Sequence, residues 1–184
     1  MTESRQILLC GVGGQGIVTA GGLLGAAAFD EGRYVSGTSS YGAAARGGEC
    51  RAEVVISALP ASFPFVTTAD LLVALSQSAY DRYLGWTAES SGVVFYDTLL
   101  VSPAVAATQR HIGISATQST EDVLGNRLGA NIVMLAAVVE ASGPISKDSL
   151  VKVISERSPD RFRDRNLRAA ELGFSLGSQV PGGC

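Results

Sequence analysis

The first residues that could do chemistry form a glycine-rich stretch close to the start of the chain. Gly11, Gly13 and Gly16 follow the spacing G-x-G-x-x-G, and Gly14 and Gln15 lie between the last two. Glycines at this spacing allow a tight turn and let backbone N–H groups approach an anion at a helix N-terminus, where the helix dipole favours negative charge. We predict a phosphate-binding loop here, the first glycine loop (residues 11–16). The alternative is a tight strand-to-helix turn that binds nothing, because this motif alone is weakly specific.

Further candidate side chains lie in a second glycine segment, which runs from Ser36 to Glu49. It contains Tyr41, Arg46 and the glycines Gly37, Gly42, Gly47 and Gly48. The segment is too long for a tight hairpin turn and has the length of a functional loop. An arginine beside a glycine-rich anion site is suited to a phosphate or pyrophosphate group. The alternative is a surface loop whose arginine is solvated.

The elements that flank these loops place them at one edge of a sheet. A buried strand over residues 7–10 leads into the first glycine loop, and a helix follows from Ile17 to near Asp30. Arg33 to Ser36 is the second predicted strand. Loops after neighbouring parallel strands emerge at the same edge of a doubly wound sheet. We therefore expect Gly13 and Arg46 to face one crevice.

The rest of the chain alternates strands with helices before it becomes helical. Strands are predicted over residues 50–57, 70–75, 92–97 and 111–115, and helices over 76–83, 128–141, 146–155 and 164–176. In the strand over 50–57, Arg51 and Glu53 are predicted to face outward. This alternation predicts an α/β, Rossmann-like fold with a mainly parallel sheet and helices on both faces. We expect a single domain over residues 1–176, followed by a loose tail over 177–184.

The composition indicates a chain that another protein covers. Charged residues make up 17% of the 184 residues, apolar residues 46%, and the mean hydropathy is +0.25. Soluble domains usually contain about 25% charged residues, so part of the apolar surface is expected to lie against a partner. No membrane helix, secretory signal or nucleic-acid footprint is predicted, because apolar runs are short and basic residues are scattered. The expected location is the cytoplasm.

The chain lacks the residues of a catalytic centre of its own. Cys10, Cys50 and Cys184 are isolated, so neither a disulfide framework, a metal site nor an iron–sulfur cluster is predicted. The single histidine, His111, has no cysteine or carboxylate at ligand spacing and is interpreted as structural. No Ser-His-Asp order, zinc-protease motif or P-loop is present. Catalysis by this chain alone is not expected.

A nicotinamide cofactor is the obvious rival ligand for the first glycine loop. Binding of its ribose requires an acidic residue at the tip of the second strand. The predicted tip is Ser36-Gly37, whereas Asp30 and Glu31 precede that strand at its other end. The sequence therefore argues against NAD.

The glycine motifs taken together resemble those of one family. The first glycine loop, G-V-G-G-Q-G, and the run Y-G-A-A-A-R-G-G over residues 41–48 resemble the γ subunit of the 2-oxoacid:acceptor (ferredoxin) oxidoreductases. In that family the second run leads into a strand that ends in Ile-Ser, here Ile56-Ser57. Gly125-Asn126-Arg127 and Asn131 also resemble the family pattern. The resemblance covers about residues 6–155.

The resemblance implies a subunit of an assembly that oxidatively decarboxylates a 2-oxo acid with coenzyme A. The products are an acyl-CoA, carbon dioxide and a reduced carrier. Thiamine diphosphate and iron–sulfur clusters would belong to partner chains: α and β subunits that bind thiamine, and a ferredoxin-like subunit. The γ chain would close the active site and help to hold coenzyme A. No catalytic or metal-binding residue is expected in this chain, and the expected cofactor contacts are Gly11, Gly13, Gly14, Gln15, Gly16, Tyr41, Gly42, Arg46, Gly47 and Gly48.

Two departures from the family pattern bear on the substrate. Pyruvate-type members often have arginine where this chain has Val12, and many have Pro-Glu where it has Ala43-Ala44. The chain therefore looks closer to members that act on 2-oxoglutarate, indolepyruvate or phenylglyoxylate. The electron acceptor, ferredoxin or NAD, stays open. The alternative function is a non-enzymatic nucleotide-binding or scaffolding module with the same fold.

Overall fold

The polypeptide forms a six-stranded sheet flanked by helices, described by a computed structural model over residues 4–41, 48–60, 63–105 and 107–181. The strands are β1 (Arg5–Val12), β2 (Tyr34–Tyr41), β3 (Glu49–Ser57), β4 (Leu71–Ala74), β5 (Val93–Asp97) and β6 (Arg110–Ile114). The helices are α1 (Ile17–Asp30), α2 (Gln77–Tyr83), α3 (Ala116–Leu124), α4 (Ala130–Ser142), α5 (Lys147–Arg157) and α6 (Asp160–Gly177), with a 3-10 turn at Leu84–Trp86. The strand order is β2-β3-β1-β4-β5-β6.

The predicted α/β class and mainly parallel sheet are confirmed. β1, β4, β5 and β6 are mutually parallel, whereas β3 runs antiparallel to both of its neighbours, β1 and β2. Residues 7–10 of β1 are buried, as in a strand covered on both faces. Ile7 and Leu9 pack into the core that contains α1 and α4, and Leu8 and Cys10 pack into the core that contains α2. No helix in the described part of the chain has the length and apolar character needed to cross a membrane.

The second strand is longer than predicted. β2 continues beyond Ser36 through Tyr41, and it pairs with β3 in antiparallel register from Tyr34 opposite Ser57 to Tyr41 opposite Cys50. The serine-rich composition predicts a loop, but the hydrogen-bond ladder to β3 decides the conformation. Only residues 42–48 therefore connect the two strands, and residues 42–47 lie outside the described residues.

Two further features differ from the prediction. Glu53 is buried, with 5% of its surface exposed, because the segment before β4 covers this part of the sheet. Its carboxylate accepts hydrogen bonds from Arg51 Nε at 2.8 Å and from the Val66 N–H at 3.1 Å. α3 was not predicted, because its threonine- and glutamine-rich sequence lacks an apolar period.

The packing of α6 on α4 determines what reaches the carboxyl edge of the sheet. A Cβ atom on Gly177 would lie 2.5 Å from the Ala137 carbonyl oxygen, and one on Gly129 would lie 3.4 Å from Ala169 Cβ. A Cβ atom on Gly173 would likewise collide with the Val133 carbonyl group. In order along the chain, residues 129, 133 and 137 lie against residues 169, 173 and 177. Both series increase in the same direction, so α4 and α6 run parallel.

Candidate functional site

The two glycine-rich segments meet at the carboxyl end of β1. The Gly13 N–H donates a hydrogen bond to the Gly48 carbonyl oxygen at 2.9 Å. Val12 at the end of β1 pairs with Glu49 at the start of β3. β3 lies between β1 and β2, so the two segments meet across an antiparallel pair rather than across neighbouring parallel strands.

The side chain of Gln15 holds the first glycine loop in place. Its Oε1 accepts a hydrogen bond from the Val12 N–H at 2.7 Å, and its Nε2 donates to the Leu75 carbonyl oxygen at 2.6 Å. A Cβ atom on Gly11 would lie 2.5 Å from Gln15 Oε1, so glycine at position 11 leaves room for this amide. The amide of Gln15 thus connects the loop to the end of β4. The expected contact between Gln15 and a cofactor stays a prediction.

Gly14 and Gly16 present the open side of the loop. Gly14 has φ +97°, and a Cβ atom added there would have no atom within 4 Å; Gly16 has φ +73° at the N-cap of α1. Both backbone conformations favour glycine. Among the described residues, the N–H groups of Gly14, Gly16 and Ile17 have no hydrogen-bond acceptor, and no side chain caps α1. These donors are available to an anion.

A cavity of about 430 Å³ opens beside these donors, and we call it the central cleft. Its lining includes residues that follow four parallel strands: Gly14 after β1, Leu75 after β4, Leu100 after β5 and Thr117 after β6. Ligands of open α/β sheets bind outside the carboxyl ends of the strands. The central cleft therefore occupies the place that this fold offers to a ligand.

A second helix N-terminus faces the central cleft. α4 begins after Gly129, which has φ +105° and provides no side-chain cap. In its first turn, Asn131 donates a hydrogen bond from Nδ2 to the Gly16 carbonyl oxygen at 3.0 Å. This bond joins the N-termini of α1 and α4 at one wall of the cleft. Two uncapped helix N-termini therefore act on the same space.

Two arginines also line the central cleft. Arg127, before α4, forms an exposed ion pair with Glu121 at 3.0 Å. Arg165, on α6, has a buried Nε atom without a hydrogen-bond acceptor among the described residues. Neither arginine was among the predicted cofactor contacts. The sequence singles out Arg127 only through the family pattern. Nothing in the sequence distinguishes Arg165 from the other charged residues of its predicted helix.

A buried carboxylate shapes the opposite wall. Asp97, at the end of β5, is 0% exposed. Its Oδ2 accepts from the Thr117 N–H at 2.8 Å and its Oδ1 from the Leu99 N–H at 3.0 Å. These bonds fix the start of α3 and the turn that carries Leu100, so Asp97 sets the position of two cleft residues. The sequence offered no signal for this role.

The remaining predicted site residues do not line the cleft or cannot be placed. Tyr41 ends β2 with 66% of its surface exposed, and it does not line the central cleft in the described structure. Gly42, Arg46 and Gly47 lie outside the described residues, so the shared crevice expected for Gly13 and Arg46 stays a prediction. The acidic residues before β2 are engaged elsewhere, since Asp30 binds Lys152 and Glu31 accepts from the Ser146 N–H.

Neither described thiol is set up as a nucleophile. Burial, with a smaller contribution from Glu49, raises the pKa of the Cys10 thiol well above its usual range. Burial also raises the pKa of Cys50, although a backbone hydrogen bond with Val18 partly opposes the shift. Because the thiolate is the reactive form, both cysteines behave as small core residues.

The single histidine is part of the structure, in agreement with its interpretation from the sequence. His111 Nδ1 lies 2.8 Å from the Gln109 carbonyl oxygen, which can only accept, so Nδ1 carries the proton. Nε2 therefore accepts from the Tyr80 hydroxyl at 2.9 Å. That hydroxyl in turn accepts from the Ala104 N–H at 2.9 Å. The network anchors the connection between β5 and β6.

The fold and site define a class: a Rossmann-like α/β unit with a cleft between two uncapped helix N-termini and, among its described residues, no paired nucleophile and base. The chain belongs to the pyruvate ferredoxin/flavodoxin oxidoreductase family, whose model matches residues 6–176. It is a γ-type subunit of a 2-oxoacid:ferredoxin oxidoreductase, as the two glycine motifs predict.

Curated relatives match the chain over nearly its whole length. The 2-oxoglutarate synthase subunit KorC of Methanocaldococcus jannaschii is 41% identical over 181 residues, which is 96% of this chain and 95% of the relative. The KorC subunit of Methanothermobacter thermautotrophicus is 34% identical over 94% of each chain. The prediction named members that act on 2-oxoglutarate, indolepyruvate or phenylglyoxylate rather than pyruvate-type members, and these relatives are of the 2-oxoglutarate kind.

Solved structures share the fold. The γ subunit of a keto/oxoacid ferredoxin oxidoreductase from Geobacter sulfurreducens has a TM-score of 0.83 at 31% identity, covering 96% of this chain and 99% of that one. The 2-oxoglutarate:ferredoxin oxidoreductase of Magnetococcus marinus, solved with 2-oxoglutarate, coenzyme A and succinyl-CoA bound, has a TM-score of 0.86 at 22% identity. It covers 98% of this chain but only 32% of the Magnetococcus chain, so there the fold is one part of a larger subunit.

Proposed function

We propose that this chain is the coenzyme A-binding subunit of a 2-oxoglutarate:ferredoxin oxidoreductase, and that the central cleft holds the phosphates of coenzyme A. The complete enzyme would convert 2-oxoglutarate and coenzyme A into succinyl-CoA and carbon dioxide, and pass the electrons to ferredoxin. The names of the KorC relatives support this substrate. Coenzyme A is bound in the Magnetococcus structure.

One observation carries the proposal: two uncapped helix N-termini and Arg127 share the central cleft. Each helix N-terminus carries roughly half a positive charge and offers unpaired N–H donors. The loop donors near Gly14 and Gly16 suit a diphosphate, and Arg127 can add a charge-assisted bond from the start of α4. Together, the two helix N-termini, the loop N–H donors and Arg127 suit an organic anion with more than one negative charge.

Apolar side chains in the lining of the central cleft suit the uncharged part of the same ligand. They are Leu75, Leu100 and Leu128, and Leu128 is an exposed side chain on the connection before α4. Apolar surface of this kind can cover a pantetheine chain or a base, and it would exclude water when the ligand is bound. The combination of anion-binding and apolar walls in one cavity therefore matches an acyl-carrying nucleotide better than a free phosphate.

In the proposed enzyme, this chain and its partner subunits have different roles. Thiamine diphosphate and the iron–sulfur clusters would belong to partner subunits, as the family resemblance implies, and supply decarboxylation and electron transfer. This chain would bind and orient coenzyme A and close the reaction space. Its residues would act on KM for coenzyme A and leave the first chemical step intact.

The test is a matched pair of glycine variants in the reconstituted complex. Gly14 and Gly32 both have positive φ and open space around a Cβ position, but only Gly14 lines the central cleft. Gly14→Val should raise KM for coenzyme A roughly 10- to 100-fold, because the side chain occupies the ligand's place. Gly32→Val controls for backbone strain and should leave KM unchanged.

A single-turnover measurement separates this effect from general damage. Reduction of the clusters by 2-oxoglutarate without coenzyme A should persist in both variants, since that step precedes the binding of coenzyme A. Equal KM values for the two variants would show that the first glycine loop does not hold the cofactor.

A further inference from the structure

Five large apolar side chains are exposed on the face of the sheet that carries α2, and we call them the aromatic patch. Between 39% and 57% of each residue is exposed, and the members are Tyr34, Leu59, Phe63, Phe65 and Trp86. Tyr34 begins β2, Leu59 follows the antiparallel strand β3, and Trp86 precedes β5. The aromatic patch therefore lies toward the amino ends of the parallel strands, whereas the central cleft lies at their carboxyl ends.

The segment that carries Phe63 and Phe65 is fixed to the sheet in a conformation that exposes both rings. The buried Glu53 carboxylate accepts a hydrogen bond from the Val66 N–H at 3.1 Å, and the Val66 side chain is buried in the core that contains α2. The two phenylalanine rings point outward, with their centroids 5.4 Å apart. A buried carboxylate thus holds an apolar surface in place before any partner binds.

Tyr34 and Leu59 extend the aromatic patch along β2. Tyr34 shares a face of this strand with Ser36, whose hydroxyl donates a hydrogen bond to the Pro64 carbonyl oxygen at 2.8 Å. Ser57 lies opposite Tyr34 in the register of β2 and β3, and its hydroxyl donates to the Leu59 carbonyl oxygen. Both residues therefore adjoin the segment that carries the phenylalanines.

Trp86 adjoins the aromatic patch on the side of α2. The guanidinium carbon of Arg51 lies 5.0 Å from the centre of the Trp86 ring. Arg51 Nε donates to Glu53 at 2.8 Å, and the same carboxylate holds Val66. The carboxylate compensates the charge of the arginine, so the surface beside Trp86 suits an uncharged partner better than a charged one.

The apolar area of the aromatic patch is close to that of a complete protein–protein interface. An aromatic side chain has about 150–250 Å² of surface, so at these exposures the patch leaves about 400 Å² of apolar surface in water. A standard interface buries about 800 Å² on each partner, and about 56–58% of that area is non-polar. Contiguous apolar surface of this size marks an interaction site.

We propose that the aromatic patch is the docking surface for an apolar, uncharged face of a partner subunit in the same enzyme. The inference rests on the proposed function and deepens it, because it names the part of this chain that holds the assembly together.

One relative supports a partner subunit as the occupant. The ketoisovalerate oxidoreductase subunit VorA of Methanothermobacter marburgensis is 34% identical over 172 residues, which is 91% of this chain but 35% of VorA. The matched stretch is 95% of the Methanocaldococcus jannaschii KorC subunit. KorC-type chains therefore need a non-covalent contact where VorA has a continuous backbone, and an apolar surface of interface size can provide it.

The first experiment measures the Kd between this chain and the remaining subunits of the enzyme, purified without it. A variant that combines Phe63→Ser with Phe65→Ser should raise this Kd roughly 30-fold or more, as the loss of an interface hot spot does. Phe29→Ser is the matched control, because Phe29 lies on α1 and is 68% exposed. It should leave the Kd within about 2-fold of the wild type. The double variant should keep the wild-type urea midpoint as an isolated chain, because both rings are exposed.

The second experiment uses Trp86, the one tryptophan of the chain, as a probe. A hydroxylated tryptophan analogue incorporated into this chain alone can be excited at wavelengths that the tryptophans of the partners do not absorb. Acrylamide should quench its fluorescence in the isolated chain and much less in the complete complex.

Three results would overturn the inference: an unchanged Kd in the double variant, an equal rise in Phe29→Ser, or equal quenching in the chain and the complex. Dimerisation of the isolated wild-type chain that the double variant abolishes, measured by sedimentation, would assign the aromatic patch to a second copy and overturn it as well. These measurements need no coenzyme A. Failure of the wild-type complex to use coenzyme A would therefore overturn the proposed function and leave the docking surface standing.

Discussion

Asn131 Nδ2 donates a hydrogen bond to the main-chain carbonyl oxygen of Gly16 at 3.0 Å, across a sequence separation of 115 residues. Gly16 is the N-cap of α1, and Asn131 lies in the first turn of α4. A Cβ atom at position 16 would collide with the Asn131 amide, so glycine permits the close approach. One amide thus joins two helix N-termini at the central cleft.

Substitution of Asn131 by aspartate should damage coenzyme A binding more than its removal. Asn131→Asp replaces the donor with a carboxylate that repels the Gly16 carbonyl oxygen and lowers the positive potential of the cleft. We expect KM for coenzyme A to rise more than about 10-fold in Asn131→Asp, and less in Asn131→Ala. Steady-state kinetics with coenzyme A varied measures both. Asn126→Asp is the control, because it adds the same charge on the connection before α4 but outside the cleft lining; an equal effect there would point to charge alone.

Glu121 should compete with the ligand for Arg127. The two side chains pair at 3.0 Å, with 62% of Arg127 and 44% of Glu121 exposed. Exposed pairs contribute at most about 1 kcal/mol, so Glu121→Gln should lower the Kd for coenzyme A by no more than roughly 5-fold. Arg127→Ala should raise the same Kd, and the difference between the variants should shrink at high salt. Weaker binding in Glu121→Gln, measured by titration calorimetry on the complex, would contradict this role.

Loss of the Gln15 amide should destabilise the fold around the first glycine loop. Gln15→Ala leaves the Val12 N–H and the Leu75 carbonyl oxygen without their partner. Both bonds are partly buried, and each contributes about 0.5–1.5 kcal/mol net, so the free energy of unfolding should fall by about 1–3 kcal/mol. Urea denaturation of the purified chain provides the measurement. Gln118→Ala, which removes only an exposed bond to Asp122, should change the stability little; a similar loss in both variants would exclude a special role for Gln15.

Stability should decrease in acid partly through Glu31. Burial would raise the pKa of Glu31, but hydrogen bonds from Ser146 and Ser149 and the charge of Arg33 outweigh it, so its pKa lies below the ordinary value of 4.5. A lowered pKa stabilises the fold above pH 4.5, and this contribution disappears as the pH falls through the folded-state pKa. The stability difference between wild type and Glu31→Gln should therefore be largest near neutral pH and shrink below about pH 4.5. A difference that is constant from about pH 7 to about pH 3 would contradict this assignment.

Local signals in the sequence were enough to predict most elements. Ser76 and Ser146 are the first residues of two predicted helices, and in the structure their side chains cap α2 and α5 by accepting hydrogen bonds from the Ala79 and Ser149 N–H groups. The glycine spacing places the turn before α1 correctly, because G-x-G-x-x-G constrains backbone geometry directly. The role of Arg46 stays a prediction, since that residue lies outside the described ones.

Long-range contacts explain what could not be predicted. Glu53 alternates with apolar residues like a solvent-facing strand position, but the distant N–H of Val66 and the side chain of Arg51 satisfy it inside the protein. The cleft role of Arg165 depends on the parallel packing of α6 on α4, which no local pattern encodes. Asp97 likewise acquires its role from α3, a helix without an apolar period.

The close packing of α6 on α4 has a consequence for how this chain can vary. Gly173 and Gly177 leave no room for a side chain against the α4 backbone, so a larger residue would move α6 outward as a rigid body. Such a shift would carry Arg165 with it and withdraw a cation from a cleft about two to three helical turns away. Exchange of a small residue far from the ligand would then alter ligand preference without touching the ligand. Glycine should consequently be retained at positions 173 and 177 wherever α6 keeps this close approach to α4.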